Sequence, residues 1–224
     1  MSGLILAVDT THEFGSLALL CGREVIEEVL LHSPDGFGHI LFQRLGELLD
    51  RHERNVQAVD CFAAASGPGS FTGVRIGLAC VKGLAEACGK PVVAVSNLEA
   101  LATFGSAPLR AVVMDARRGE VYGAVYGAGR ETVVAPAVTR FDAWLKTLPP
   151  GDLEFVSTDF SPFAPALAGT PFAATPVTTA PRALAAAVGR IAYERWRAGQ
   201  AADPAAIDAD YVRRSDAELF WKEY

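Results

Sequence analysis

Apolar and polar positions along this chain follow two periods, and the places where one gives way to the other mark its elements. Leu4 to Val8 is a continuous apolar run that stops at Asp9, the pattern of a strand covered on both faces. Gly15 to Leu20 and Glu24 to Leu31 predict two more strands, with Cys21-Gly22-Arg23 as a tight hairpin between them. After the turn cluster Ser33-Pro34-Asp35-Gly36, the spacing becomes helical from about His39 to His52. Leu41, Phe42, Leu45, Leu48 and Leu49 form the apolar face of that helix, and Ile40 widens it beyond what one core needs. Cys61 to Ala65 predicts a buried strand. A glycine-rich segment, Ser66-Gly67-Pro68-Gly69-Ser70-Phe71-Thr72-Gly73, leads from it into a second helix from about Val74 to Cys88. Gly89, with Pro91 behind it, ends that helix. Val92 to Val95 predicts a strand, and Asn97 to Phe104 a short helix.

A composition shift at Gly105-Ser106-Ala107-Pro108 opens a second half that begins again with a strand, Ala111 to Met114. Arg117-Arg118-Gly119 turns it back into Val121 to Tyr126. Pro149 to Pro181 is rich in Ala and Pro, yet apolar residues are interleaved throughout, so it reads as folded chain and not as linker. Ala183 to Trp196 predicts a helix, and a polar tail runs to Tyr224. Two lobes that each open with a strand and hairpin, 1–104 and 105–224, predict a duplicated α/β architecture. The terminal helix or tail is free to pack back on the first lobe.

Composition narrows the function. Half of the 224 residues are hydrophobic and 21% are charged, which is globular and not disordered. Twenty Lys and Arg against 26 Asp and Glu leave a formal net charge of −6. No basic run exceeds the pairs Arg117-Arg118 and Arg213-Arg214. Direct binding of RNA draws on a basic surface that this balance does not supply, so any RNA would be met through another subunit. The four cysteines form no C-x-x-C pair, and Cys61 and Cys80 sit in apolar runs, as small core residues in a reducing compartment do. No apolar stretch is long enough to span a bilayer and no basic leader precedes the first strand, so the expected location is the cytoplasm, without a membrane partner.

The segment from Ser66 to Gly77 is the most informative for chemistry. Gly67, Gly69 and Gly73 would turn the backbone sharply and aim peptide N–H groups, with the Ser70 hydroxyl, at the start of a helix, a geometry that suits an anion. It has neither the Lys of a P-loop nor dinucleotide glycine spacing, and a plain tight turn is the simpler reading. Asp9, followed by Thr10, stands where a carboxylate could hold a magnesium water beneath a phosphate, or could satisfy backbone groups of its own turn. Asp115 holds the corresponding place in the second lobe, within a charged turn of weak local pairs. Nucleophile and metal chemistry find little support: there is no G-x-S-x-G elbow, and His12, His32, His39 and His52 make no ligand pair on a helix.

On these residues the sequence resembles the TsaB (YeaZ) family, within the sugar kinase–Hsp70–actin superfamily. The matching segments are Ile5 to Thr11, Gly67 to Ala79, Lys82 to Ala85, Val95 to Leu101, Met114 to Tyr122 and the ending Asp210-Tyr211-Val212-Arg213. Asn97 stands where Ser is usual in the family. The resemblance implies a two-lobed actin-like, ribonuclease H-like α/β fold, each lobe a mixed sheet flanked by helices. It also implies a non-catalytic subunit of the bacterial machinery that places threonylcarbamoyl on a tRNA adenosine, with no cofactor and no metal of its own. Its partner would be a TsaD-like transferase, joined by a TsaE-like ATPase, with tRNA met only through the complex. TsaD-like chains carry an H-x-x-x-H metal pair on the first helix, which is broken here as His39 and Gln43. The family pairs through the first two helices, which puts His39, Ile40, Phe42, Gln43, Leu45, Gly73, Ile76 and Gly77 at the expected interface. The same surface would serve a homodimer. The residues near an anion or nucleotide would be Asp9, Thr10, Gly67, Gly69, Ser70 and Asp115.

Two other classes stay open: a nucleotide-binding enzyme of ATPase or kinase type, and a homodimeric interaction module. Against the enzyme, the turn after Asp9 reads Thr10-Thr11-His12-Glu13-Phe14, with its glycine late and a negative charge facing any phosphate.

Overall fold

A computed structural model describes residues 3–210 and 212; Tyr211 and Arg213 of the C-terminal motif, and the tail after them, lie outside the described residues. The elements in chain order are β1 (Leu4–Asp9), β2 (Phe14–Cys21), β3 (Glu24–His32), α1 (Leu41–Arg51), β4 (Cys61–Gly67), α2 (Phe71–Cys88), β5 (Val92–Ser96) and α3 (Asn97–Ala102). They continue with β6 (Leu109–Asp115), β7 (Glu120–Gly127), β8 (Thr132–Arg140), α4 (Phe141–Leu145), β9 (Leu153–Ser157), β10 (Val177–Thr179) and α5 (Ala185–Arg197). By its contacts the chain divides into two compact units, residues up to 97 with 182–210, and residues 98–181.

The first unit is a five-stranded sheet in the order β3-β2-β1-β4-β5, antiparallel among the first three strands and parallel from β1 through β4 to β5. Strand alternation sends Leu6, Val8, Leu17, Leu19, Phe62 and Ala64 to one face, where Leu41, Leu45 and Leu48 of α1 and Val74, Leu78 and Val81 of α2 cover them. The opposite face is covered by α5. Its Gly189 lies so near that a Cβ there would stand 2.3 Å from Leu20 Cδ1, so any larger residue would have to displace the Leu20 side chain. The first residues of α5 have no side-chain cap of their own. Ser16 Oγ on β2 accepts from the N–H groups of Leu184 and Ala185 (3.1 and 2.9 Å), and Glu28 on β3 accepts from Ala186 N (2.7 Å).

The second unit repeats the plan. Its sheet runs β8-β7-β6-β9-β10, again antiparallel among its first three strands and parallel through the rest. Here Phe141, Trp144, Phe155, Phe160 and Phe163 cluster over one face, with ring centroids between 5.0 and 6.4 Å apart. The duplicated mixed sheet is the actin-like, ribonuclease H-like architecture that the sequence implies. The second helix begins three residues earlier than its apolar spacing predicts, because Ser70 caps it by accepting from Gly73 N (3.3 Å). No helix among the described residues is long and apolar enough to cross a membrane.

Candidate functional site

Two parts of the first unit gather the residues singled out in the sequence: the ends of β1 and β4, and the outer faces of α1 and α2.

At the strand ends the chain closes on itself. Asp9 is 1% exposed, and Thr11 and Asn97 are fully buried beside it. Asp9 Oδ1 accepts from Thr11 N (2.9 Å) and from the Thr11 hydroxyl (2.6 Å), while Asn97 Nδ2 donates to Asp9 Oδ2 (3.3 Å) and to Thr11 Oγ1 (2.8 Å). The other end of the same amide accepts from Gly67 N (3.1 Å), so Asn97 ties the end of β1 to the start of the glycine loop. A buried polar cluster whose members satisfy one another is rigid and costs little; left half-satisfied it would be expensive.

The glycine loop wraps around the Thr10–Thr11 backbone. Ser70 N donates to Thr11 O (2.6 Å), and the Thr10 hydroxyl donates to Gly73 O (2.7 Å). A Cβ on Gly69 would stand 2.4 Å from Thr11 O, one on Gly73 2.0 Å from Thr10 O, and one on Gly77 2.6 Å from Thr10 Oγ1. These glycines let the turn after β1 press against α2. Gly67 has φ +107°, which excludes ordinary side chains. Asp9, Thr10, Gly67, Gly69 and Ser70 therefore come together. Asp115 belongs to the second unit, where it is exposed and accepts from Arg117 N (2.7 Å) within its own hairpin turn. Arg117 and Arg118 both have positive φ there (66° and 57°).

On the helices, the interface residues expected from the sequence divide by direction. Leu45 is 4% exposed and belongs to the core, while Gly73 and Gly77 look inward at Thr10. His39 and Gln43 are exposed, Ile40 and Ile76 are half-buried, and Phe42 stands 60% exposed. Gln43 and Arg44 are both bonded to Glu47 (2.8 and 3.0 Å). The outward face of α2 carries residues that the apolar spacing passes over: Phe71, 44% exposed, and Arg75, whose guanidinium lies 3.5 Å from the Phe71 ring centroid. Counting in fours from Phe71 gives Arg75, Ala79 and Gly83, all exposed, and that period was the available signal.

Reactive side chains are sparse. Burial pushes the thiols of Cys61 and Cys80 up to about 12, with Asp60 adding to the effect at Cys61, so both stay protonated and inert. His52 lies 2.7 Å from Glu27, and His32 Nε2 lies 3.8 Å from Glu13 and stacks on Phe14. Among the described residues no three His, Cys, Asp or Glu side chains are grouped to hold a metal ion.

Comparison with known proteins places this geometry. A family model described as TsaD, tRNA N6-adenosine threonylcarbamoyltransferase, matches residues 39–194. The tRNA threonylcarbamoyladenosine biosynthesis protein TsaB of Bacillus subtilis is 32% identical, over 98% of this chain and 98% of its own length. TsaB of Escherichia coli is 33% identical over 61% of this chain and 64% of its own. Among solved structures, YeaZ from Pseudomonas aeruginosa is 27% identical, with a TM-score of 0.79 over 93% of this chain and 99% of that one.

Proposed function

This chain belongs to the TsaB (YeaZ) family, and from that premise we propose that it serves tRNA threonylcarbamoyladenosine biosynthesis as a non-catalytic subunit that binds and activates a TsaD-type transferase. A TsaE-type ATPase joins the pair, and tRNA is met by the assembled complex, consistent with a chain of net charge −6. The outer faces of α1 and α2 carry the contact, with Ile40, Phe42 and Ile76 as its apolar part and His39 and Gln43 on its rim. Isolated chains use the same faces to pair with themselves, since exposed apolar surface favours burial.

The observation that carries the non-catalytic reading is the closed state of the Asp9 cluster. Both carboxylate oxygens already accept hydrogen bonds from Thr11 and Asn97, and the Thr10 and Thr11 carbonyls fill the hollow of the glycine loop. A group that must receive a proton or hold a magnesium water needs an open coordination position.

Reconstituted threonylcarbamoyl transfer with purified partners tests this. Omitting the chain abolishes modification, and Asp9→Asn, once shown to be folded and to bind the transferase, keeps modification within about a few-fold of wild type. A folded, transferase-bound Asp9→Asn variant without activity would make Asp9 a catalytic group and sink the reading.

A further inference from the structure

We infer that residues 199–210 are a latch that fastens the glycine loop to α2, and that Lys82 and Ile207 are positioning residues for binding the transferase-type partner. The inference rests on the partnership proposed above and names what holds its docking face in shape.

The path of the segment points to this role. α5 covers one face of the first sheet and ends at Arg197; Gly199, with φ +72°, turns the chain away, and Gln200 N donates to Arg195 O (2.8 Å). Ala202 then pairs antiparallel with Val92 of the edge strand β5, exchanging both backbone hydrogen bonds (2.8 and 3.0 Å). A turn at Pro204–Ala206, capped by the Asp203 carboxylate accepting from Ala205 N (2.8 Å), carries the chain round that edge. Ile207, 6% exposed, enters the core on the other face, in the cluster that includes Val74, Leu78 and Val81 of α2.

There the segment grips two structures at once. Lys82 Nζ, on α2, donates to Ile207 O (2.8 Å), and Asp210 N donates to Ser66 O (2.7 Å), where β4 gives way to the glycine loop. Asp210 O lies 3.0 Å from where a Cβ on Gly67 would stand. The start of the loop is thus tied to the second half of α2, and Ser70, Gly73 and Ile76 lie between the two ties.

Such a fastening opens more readily than the fold around it. Pro204 and Ile207 are the buried side chains of the segment, whereas Gln200, Asp203, Ala205, Ala206 and Asp208 are exposed. A stretch held by few buried apolar groups and a handful of backbone bonds opens at a lower free energy than the whole domain. Opening releases Lys82 and withdraws Ile207 from α2, so the loop and the proposed docking face lose their fixed relation. A partner then finds only the closed fraction competent to bind, and its apparent affinity falls by that fraction. By reciprocity, a bound transferase holds the latch shut.

The test follows amide-resolved hydrogen exchange in residues 199–210 of the full chain, with and without the purified transferase subunit, and transferase affinity by calorimetry. Excess transferase is expected to slow exchange at Ala202 and Asp210 about tenfold or more. Lys82→Met and Ile207→Ala are each expected to speed that exchange and to weaken transferase binding about fivefold or more, Ile207→Ala with no change of charge. Lys82→Arg, which keeps a donor, is expected to retain wild-type exchange and most of the affinity. If Ile207→Ala does not fold, Lys82→Met decides alone, since it leaves the apolar core intact. Faster exchange with unchanged affinity makes the segment a stabiliser of the fold only; it overturns the inference and leaves the partnership standing. Weaker binding with unchanged exchange assigns Lys82 or Ile207 to direct contact with the partner and also overturns the inference, as does exchange that the transferase does not slow. Wild-type chain that fails to bind the transferase overturns both.

Discussion

The two units share one strand order, yet the hairpins that open them end differently. In the first unit the turn after β1 is buried: Thr10 and Thr11 are 1% and 0% exposed, locked between Asp9, Asn97 and the glycine loop. In the second, the turn after β6 exposes Asp115, Arg117 and Arg118: Asp115 accepts from Arg117 N, and both arginines are in left-handed conformation at its tip. Cores differ as well. Aliphatic residues of β1, β2 and β4 meet two long helices in the first unit, while an aromatic cluster under the short α4 serves the second. Topology is thus a scaffold that the two halves use for different ends, and what decides the use is which residues close the strand ends.

That contrast can be broken at its strongest point first. Trp144 is 1% exposed, and its ring lies where a Cβ on Gly123 would stand, 2.4 Å from Cε2. Trp144→Ala is expected to cost about 3–5 kcal/mol in chemical denaturation, and to act on the second unit. Asn97→Ala tests the polar hub of the first: it strands the Asp9 carboxylate and Gly67 N, and is expected to cost about 1–3 kcal/mol. An effect near zero would show that the hub is dispensable.

A smaller effect appears against pH, with opposite signs at one carboxylate of each unit, Glu154 and Glu28. At Glu154, burial pushes the pKa up, but hydrogen bonds from Thr178, Ala107 and Ser106 and the nearby Arg110 outweigh it and hold it below 4.5. Its contribution to stability is therefore present above about pH 4.5 and is lost as pH falls through its lower folded value. Glu28 is shifted the other way, first by burial and further by Asp9, with Ala186 N–H and Arg190 offsetting only part. The folded state takes up its proton first, so acidification toward pH 4.5 stabilises through Glu28. Unfolding temperature followed from pH 7 to pH 4 is expected to fall less steeply for Glu154→Gln than for wild type, and more steeply for Glu28→Gln. Identical slopes would refute both assignments. The smallest effect is expected for Asp115→Ala, within about 0.5 kcal/mol, as for other exposed turn residues.

Much of the first unit was legible because its signals are local. The run Leu4 to Val8, the hairpin at Gly22, the stop at Gly89 and the apolar face of α1 each show within a dozen residues, and each element stands where predicted, except that Phe42 of the predicted α1 face points outward, 60% exposed. Direction was not legible. Gly73, Gly77, Gly46 and Gly83 look alike in the sequence, and which of them face Thr10 depends on the packing of α2 against the turn after β1. The Asp9–Asn97 bond joins residues 88 apart and has no local sign. In the second unit, β9 contains a buried carboxylate, Glu154, that interrupts its apolar run, and β10 is three residues long, too short for any period to show. That is why the Ala/Pro-rich stretch gave no element in advance.

The helix that covers the back of the first sheet, with its leading amides held by Ser16 and Glu28, is encoded at residues 185–197. A ribosome making this protein releases Ile5, Ala7, Ala18 and Leu20 long before the helix that shelters them. At roughly 5–20 residues per second, the nascent sheet waits on the order of ten seconds or more with that face unsheltered. The first unit is thus completed by a helix translated after the whole stretch 98–181 of the second. Nascent-chain stalling before residue 182 would leave a species that chaperones recognise, and the native first unit would appear only once residues 185–197 have emerged.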